Sequence, residues 1–426
     1  MFLYHLLLIV ERFHQWPHLS EPLFNLGFIP ITIVKIVGLA TVGVAILAPV
    51  PSDAAPRLRS VLGLLFAAFA ILPVTTTIAS GLPIPGDSIA YLISLGLMLY
   101  ATRRLLSTFS RVRAAIRTVV AAGAFSTLWS FKQDLLEGLP GGRGWGLSGD
   151  SNYEALTLIV MIPLALWVAR RDGSSRWRRV GMVSVVALTA AALLTESRGA
   201  IIGLGVIILG ELLSRKRSNS YKAGLVAGIV VMLLLAPSSL WQRMTSIQIS
   251  GVAANVDAGS AEVRWQVLIA GFNMIKDHPV FGVGLDLFKK LSTQYNPRLT
   301  ADDAFIAHNT YVQVAAEGGL TTLLLFLALM ALGLRNCRAA SRIAIEPNLA
   351  DMASAVRMSI LTFAAAAFFL TANYLVFYWL LIFVSGNLRE IAVAGATGRD
   401  QGAAAQSEAR PVGRIPEVRR LRVPAT

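Results

Sequence analysis

The stretch IAHNTYVQVAAEGGLTTLLLFLALM, residues 306–330, decides the fold class. From Leu320 onward it is a membrane-type apolar run. Lipid offers no partner to a backbone N–H or C=O, so such a run must satisfy its own backbone as a helix. Yet it opens with His308, Asn309 and Tyr311 and carries Gln313 and Glu317. Ionisable groups in a membrane segment are costly and mark candidate functional positions. A helix that lives in lipid but begins on an imidazole therefore points to a site at its end.

The rest of the chain repeats the apolar part of this pattern. Of 426 residues, 55% are hydrophobic and 15% charged, and the mean hydropathy is +0.63. A soluble domain carries about a quarter charged residues. Eleven apolar runs lie near 29–49, 61–79, 88–102, 118–135, 153–169, 180–195, 199–213, 223–240, 307–334, 356–372 and 374–391. The runs at 88–102 and 199–213 are short against the roughly 20 residues a span needs. A twelfth candidate, Phe2 to Val10, is shorter still and lacks the basic flank and cleavage site of a signal peptide. It reads as the remnant of a first span or the result of a late start codon. The expectation is an all-α polytopic membrane protein of about 11–12 transmembrane helices. Residues 1–393 form one multi-span domain, with a partly helical periplasmic loop at about 241–306 inside it.

The net charge of +14 is distributed in a way that excludes nucleic acid as its cause. Arg57 and Arg59, the arginines at 103–117, 170–179 and 335–357, Arg215, Lys216, Arg217 and Lys222, and seven arginines from Arg389 onward all fall on one side if the runs alternate. Positive loops stay cytoplasmic. Both termini are thus expected in the cytoplasm, the 241–306 loop outside, and residues 394–426 as a disordered basic tail, poor in large apolar residues. Cys337, the one cysteine, excludes an intrachain disulfide and reads as a reduced thiol in a basic loop.

Three groups of polar residues lie away from the cytoplasmic loops. In LLTESRGAIIGLG (193–205) two apolar runs meet with almost no loop, leaving Glu196, Ser197 and Arg198 at the outer junction. Arg198 either points into the bundle or snorkels to lipid headgroups. In GSAEVRWQVLIAGFNMIKDHPVFGVGLDLFKKL (259–291), Val263, Val267, Ala270 and Met274 recur at helical spacing. The spacing predicts a helix over 261–276 along the outer membrane surface, begun by Arg264 and Trp265 and stopped by Pro279. A loop arginine is usually solvated, and His278 reads as a turn residue. In the opening stretch, a helix through His308 would share a face with Tyr311, while Asn309, Gln313 and Glu317, spaced by four, would form a separate polar line. An interfacial histidine at a helix start is the bland alternative. Lys35 interrupts ITIVKIVGL near the outer half of its span, either snorkelling or touching lipid phosphate. Asp302 and Asp303 either cap the following helix or hold a cation. The five histidines show no zinc spacing with a helical carboxylate, and there is no Walker loop, nucleophile elbow or dinucleotide fingerprint.

TESRGA, then RWQVLIAGFNMIKDHPVFGVGLDLF, then HNTYVQVAAEGGL occur in that order. Together, over about 186–334, they resemble the O-antigen ligase and O-antigen polymerase family of bacterial envelope proteins. The resemblance implies a GT-C-like glycosyltransferase in the bacterial inner membrane, with its active site on the periplasmic side. It would pass a glycan from undecaprenyl pyrophosphate to an acceptor sugar lipid or a growing polysaccharide, without cofactor or metal. Its partners would be that donor, the acceptor, membrane lipids and other envelope polysaccharide machinery. The family's arginine of the RG turn corresponds to Arg198 and its loop arginine to Arg264, both implied to hold pyrophosphate. Its histidine corresponds to His308, implied to be the general base. Asn309, Tyr311, Gln313, Glu317, Glu196 and Lys35 would line the site. Ligase and polymerase are not separated by these residues. Outside the family the rival is a transporter or flippase for a lipid-linked or anionic glycan, which would suit buried arginines equally but would show two related halves.

Overall fold

The structure, a computed structural model, describes residues 1–12, 21–26, 29–49, 60–83, 85–137, 150–215, 217–234, 256–299 and 306–408. Among these, α1 (Phe2–Arg12) leads to a small antiparallel hairpin, β1 (Phe24–Leu26) and β2 (Ile29–Ile31). Then follow α2 (Ile33–Leu47), α3 (Val61–Ala79), α4 (Gly86–Leu105), α5 (Phe109–Glu137), α6 (Ser151–Arg171), α7 (Ser175–Leu194), α8 (Arg198–Leu213) and α9 (Asn219–Leu234). The chain continues through α10 (Val256–Asp277), α11 (Phe288–Tyr295), α12 (Thr310–Ile343), α13 (Pro347–Ala366) and α14 (Val376–Glu408). Each expected apolar run carries a helix, as does Phe2–Val10, although Ile29–Ile31 at the head of the first run is β2. Six helices, α3, α6, α7, α12, α13 and α14, are long and apolar enough to cross a membrane. α4 and α5 have the length but carry arginines, and α2 and α8 are short, at 15 and 16 residues. The protein is an all-α polytopic membrane protein. The loop helix expected at 261–276 is α10, and α11 adds a second.

Two expectations need correction. Cys337 is not in a loop: α12 runs on to Ile343, and the thiol is buried within it. Nor does order stop at Ala394. α14 continues to Glu408, through alanines 403–405, the best helix formers.

The helices differ sharply in burial. In α6, 83% of the spanning window is buried, and in α14 72%, against 22% in α7 and 28% in α3. So α6 and α14 are the bundle's interior, and α3 and α7 form its rim. Lipid tails are as apolar as leucine, so packing rather than water exclusion must join spanning helices. An aromatic cluster does much of this. Phe363 of α13 stacks on Tyr378 of α14 at 3.8 Å, Trp379 meets Phe66 of α3 edge-on at 5.5 Å, and Phe326 of α12 contacts Tyr378 at 5.7 Å. Such pairs contribute about 0.5–1.5 kcal/mol each beyond their buried area.

Polar contacts sort the helix ends into two sets. At one end, Arg104 Nε donates to Ala45 O of α2 (3.1 Å), Arg103 donates to Asn387 Oδ1 of α14 (2.7 Å), and Arg117 of α5 donates to Asp172 after α6 (2.7 Å). Also there, Arg170 pairs with Glu211 of α8 (2.9 Å) and Arg171 with Asp351 of α13 (2.9 Å). At the opposite end, Arg12 of α1 pairs with Glu154 in the first turn of α6, the side chains 5% and 3% exposed. Ser88 Oγ of α4 donates to Asp286 (3.0 Å), and Leu285 N to Thr77 Oγ1 of α3 (2.7 Å). The helices thus alternate in direction, and the arginine-rich turns gather at one end.

Candidate functional site

The far end from the arginine-rich turns holds an unusual backbone feature. Among the described residues, three non-glycine positions have left-handed φ: Glu196 (+50°), Asp286 (+57°) and His308 (+49°). Each directly precedes a helix cap: Ser197 of α8, Leu287 of α11 and Asn309 of α12. Such conformations cost about 1–3 kcal/mol each and cluster at functional sites.

His308 is therefore not on the helix. Asn309 is the N-cap, its side-chain oxygen accepting from Tyr311 N (3.0 Å) and Val312 N (3.1 Å), and α12 begins at Thr310. This corrects the helical-face placement of His308 and Asn309. Gln313 and Glu317 remain a helical pair, with Gln313 Nε2 donating to Glu317 Oε1 (2.5 Å). Gln313 Oε1 accepts from Ala307 N (2.9 Å), which ties the residue before His308 down to the helix.

Glu317 in turn receives Phe288 N (3.4 Å) and anchors the segment after α10. That segment docks into a break in α12. Gly319 has φ +73° and ψ 177° inside the helix, so carbonyls and amides around it are released. Val283 N donates to Ala316 O, Gly284 N to Glu317 O and Leu320 N to Pro279 O, each at 2.8 Å. A Cβ on Gly282 (φ +71°) would come within 2.5 Å of Gly319 N. HPVFGVGLD and EGGL are thus two halves of one joint. A small apolar core of Val267, Ala270, Met274, Phe288, Val312 and Ala316 completes it and lays α10 against the start of α12.

This brings the Arg264 charge within electrostatic reach of His308. Burial and the Arg264 charge together push the His308 imidazole down to about 4, and Asp150 opposes them. Asp150 caps α6, its Oδ1 accepting from Asn152 N (2.8 Å) and Tyr153 N (2.9 Å). Sequence reasoning missed Asp150, although SGDSNYE ahead of an apolar run carries an N-cap signal. Arg264 is half-buried rather than solvated.

Arg198 is the first residue of α8 and half-buried. Next to it, the Cβ position of Gly199 is 3.6 Å from Phe369 Cβ and 3.7 Å from Ala366 O. The same chain segment, residues 367–375 between α13 and α14, also holds the start of α12. Thr310 N donates to Ala367 O (2.9 Å), and Thr310 Oγ1 donates to Leu370 O (2.6 Å) and accepts from Ala372 N (2.9 Å). One connection thus links the turns carrying Arg198 and His308.

The other candidates divide. Tyr311 donates to Ala364 O (2.7 Å) and lies against Phe368 at 4.5 Å. Glu196 is buried in the turn before Arg198. Lys35 lies in α2, which packs chiefly on α1 and α4, away from the elements that carry Arg198, Arg264 and His308. His278 bonds Tyr295 Oη (2.8 Å), in keeping with a turn role. Asp302 and Asp303 lie outside the described residues.

No curated protein matches the chain. Residues 182–327 match the family model described as O-antigen ligase, a stretch that takes in Arg198, the α10 joint, Arg264 and His308. The match indicates glycosyltransferase activity of the O-antigen ligase or polymerase type, and it supports assigning the chain to the O-antigen ligase/polymerase family.

Proposed function

We propose that the protein transfers a glycan from undecaprenyl pyrophosphate to an acceptor hydroxyl at the periplasmic face, with His308 as general base and Arg198 and Arg264 on the pyrophosphate. The observation that carries this is the convergence of Arg264 on His308 at the start of α12, with Arg198 joined to it through residues 367–375. The positive-inside rule puts the arginine-rich end in the cytoplasm and this site outside, where a lipid-linked donor needs no nucleotide.

The chemistry follows from the groups. The acceptor oxygen attacks the anomeric carbon, and the bond from that carbon to the pyrophosphate oxygen breaks. The bonding pair leaves with the pyrophosphate, and the hydroxyl proton passes to an imidazole nitrogen of His308. The leaving group is multiply anionic. Arginine stays charged and presents a planar fork to phosphate oxygens. An imidazole held near 4 by burial and Arg264 is neutral at neutral pH and thus free to take the proton. Donor phosphate beside Arg264 offsets its charge and raises the basicity of His308 when the donor is in place. A base of this kind contributes about 10²–10⁴ in rate. GT-C-like architecture is part of the same proposal.

The test is transfer by purified protein from undecaprenyl-pyrophosphate glycan of the native host, with EDTA present. Lipid A–core and the lipid-linked repeat are offered as acceptors. Glycan on one acceptor, lost in His308→Ala and Arg264→Ala, is the expected result and separates ligase from polymerase. Transfer that survives both substitutions overturns the site. Movement of the lipid-linked glycan across a proteoliposome bilayer, with no transfer, overturns the transferase in favour of a flippase.

A further inference from the structure

The connection between α13 and α14 is buried, and two of its side chains are unsatisfied. Thr371 and Asn373 are each 8% exposed, and neither Thr371 Oγ1 nor Asn373 Oδ1 has a hydrogen-bond partner. Buried polar oxygens are rarely left so. Unmatched hydroxyls elsewhere, such as Ser359 and Thr362, belong to helices proper. These two flank Ala372, whose N–H is bonded to Thr310 Oγ1, two residues from His308.

Aromatic rings gather beside them. Tyr91 Oη donates to Tyr374 O (2.6 Å), and Tyr153 Oη reaches the same carbonyl at 3.4 Å. The Tyr91 and Tyr374 rings meet edge-on at 5.4 Å. All three tyrosines are half-buried. Tyr153 is also tied by its N–H to Asp150, the acid that acts on His308. The cluster thus adjoins the base by two independent routes. Partly buried aromatic rings beside unsatisfied oxygens suit a sugar ring, which offers apolar C–H faces and hydroxyl donors at once.

We infer that Thr371, Asn373 and the tyrosines Tyr91, Tyr153 and Tyr374 form the acceptor-sugar subsite, with Thr371 Oγ1 and Asn373 Oδ1 accepting hydroxyl hydrogens of the sugar whose neighbouring hydroxyl reacts at His308. This rests on the transferase reading above. The two oxygens bind the acceptor and not the donor, because Arg198 and Arg264 already account for the pyrophosphate.

The test uses full-length protein in lipid nanodiscs and two soluble probes: the host's core oligosaccharide freed of lipid A, and its free repeat-unit oligosaccharide. Isothermal titration compares wild type with Thr371→Val, Asn373→Leu and Thr371→Ser. The expected result is that wild type binds one probe and that Thr371→Val and Asn373→Leu each bind it about tenfold more weakly. Thr371→Ser, which keeps the oxygen, binds like wild type. The thermal midpoint of Thr371→Val stays unchanged, since its deleted oxygen has no protein partner, and the donor KM stays unchanged in the transfer assay. Equal affinity in wild type and both deletions, binding of neither probe, or a raised donor KM with unchanged probe affinity each overturn the subsite. Weakened probe binding in a protein whose wild type transfers no glycan overturns the transferase reading and with it the acceptor role, leaving a sugar-binding site at this connection.

Discussion

The site's acid–base behaviour gives its sharpest prediction, because burial and two charged groups act on His308 with known signs. Burial and Arg264 lower it to about 4, while Asp150 raises it. An ordinary imidazole titrates near 6.5. At pH 5 a group with a pKa of about 4 is about 90% neutral, whereas an ordinary histidine is about 3% neutral. The perturbations are Arg264→Met, which deletes the charge at similar length, and Asp150→Asn. The assay is kcat/KM for the lipid-linked donor across the acidic range, since that quantity reports the free enzyme. Wild type should keep most of its plateau value at pH 5. Arg264→Met, at a much lower absolute rate, should have its acidic limb moved to higher pH. Asp150→Asn should move it lower. The kcat profile of wild type should show a higher limb than kcat/KM, because bound pyrophosphate offsets Arg264. A wild-type limb near 6.5, or a limb that Arg264→Met leaves in place, would refute the electrostatic coupling and with it the role of His308 as the buried base.

Other outcomes follow from the same contacts. Stability should have a matching pH dependence. The folded-state pKa of His308 lies below the unfolded value, so the neutral ring's contribution is fully present above about 6.5 and is lost as pH falls towards about 4. Thermal unfolding over that window should be less pH-dependent in His308→Gln than in wild type. Gly282→Ala places a methyl against Gly319 N in a left-handed position, so limited proteolysis should show the 278–287 segment released and transfer reduced at least as far as in Arg264→Ala. Asn309→Ala removes the cap bonds to Tyr311 and Val312 and should cost about 1 kcal/mol in chemical denaturation. Arg12→Met strands the buried Glu154 carboxylate and should cost about 3–5 kcal/mol, with Arg12→Met/Glu154→Leu recovering most of it.

The sequence carries the bundle almost openly, and the reason is physical. Lipid forces each spanning backbone to be helical, so each apolar run must be a helix, and arginines report direction without any tertiary knowledge. The same logic fails where a chain leaves the helix. His308 looked like a helical residue because HNTYVQ continues the pattern of α12, yet Asn309 caps the helix and turns His308 off it. Periodicity does not see caps from the inside. The joint was invisible for a different reason: FGVG and EGGL are far apart in the chain, and a glycine pattern does not name its partner. Residues 367–375 were missed because two apolar runs, 356–372 and 374–391, nearly touch in sequence. A connection buried within the protein looks like the end of one span and the start of the next.

These misses share a cause that bears on mechanism. Arg198 and His308 are held by the bundle, through turns fastened to the 367–375 connection. Arg264 is held by α10, which reaches the bundle through the joint at Gly282 and Gly319 and the small core around Met274 and Val312. Under the proposed function, the protein must hold the leaving group and the base in fixed relation, yet admit a bulky lipid-linked glycan between them. Placing one arginine on the bundle and the other on a separately docked helix meets both needs. The strained backbone at Glu196, Asp286 and His308 lies at the three turns where that arrangement must be set. Its cost is tolerable at Asp286 and His308 because those two turns are fixed by hydrogen bonds from outside themselves: Ser88 Oγ donates to Asp286, Ala307 N to Gln313 Oε1, and Thr310 Oγ1 to Leu370 O.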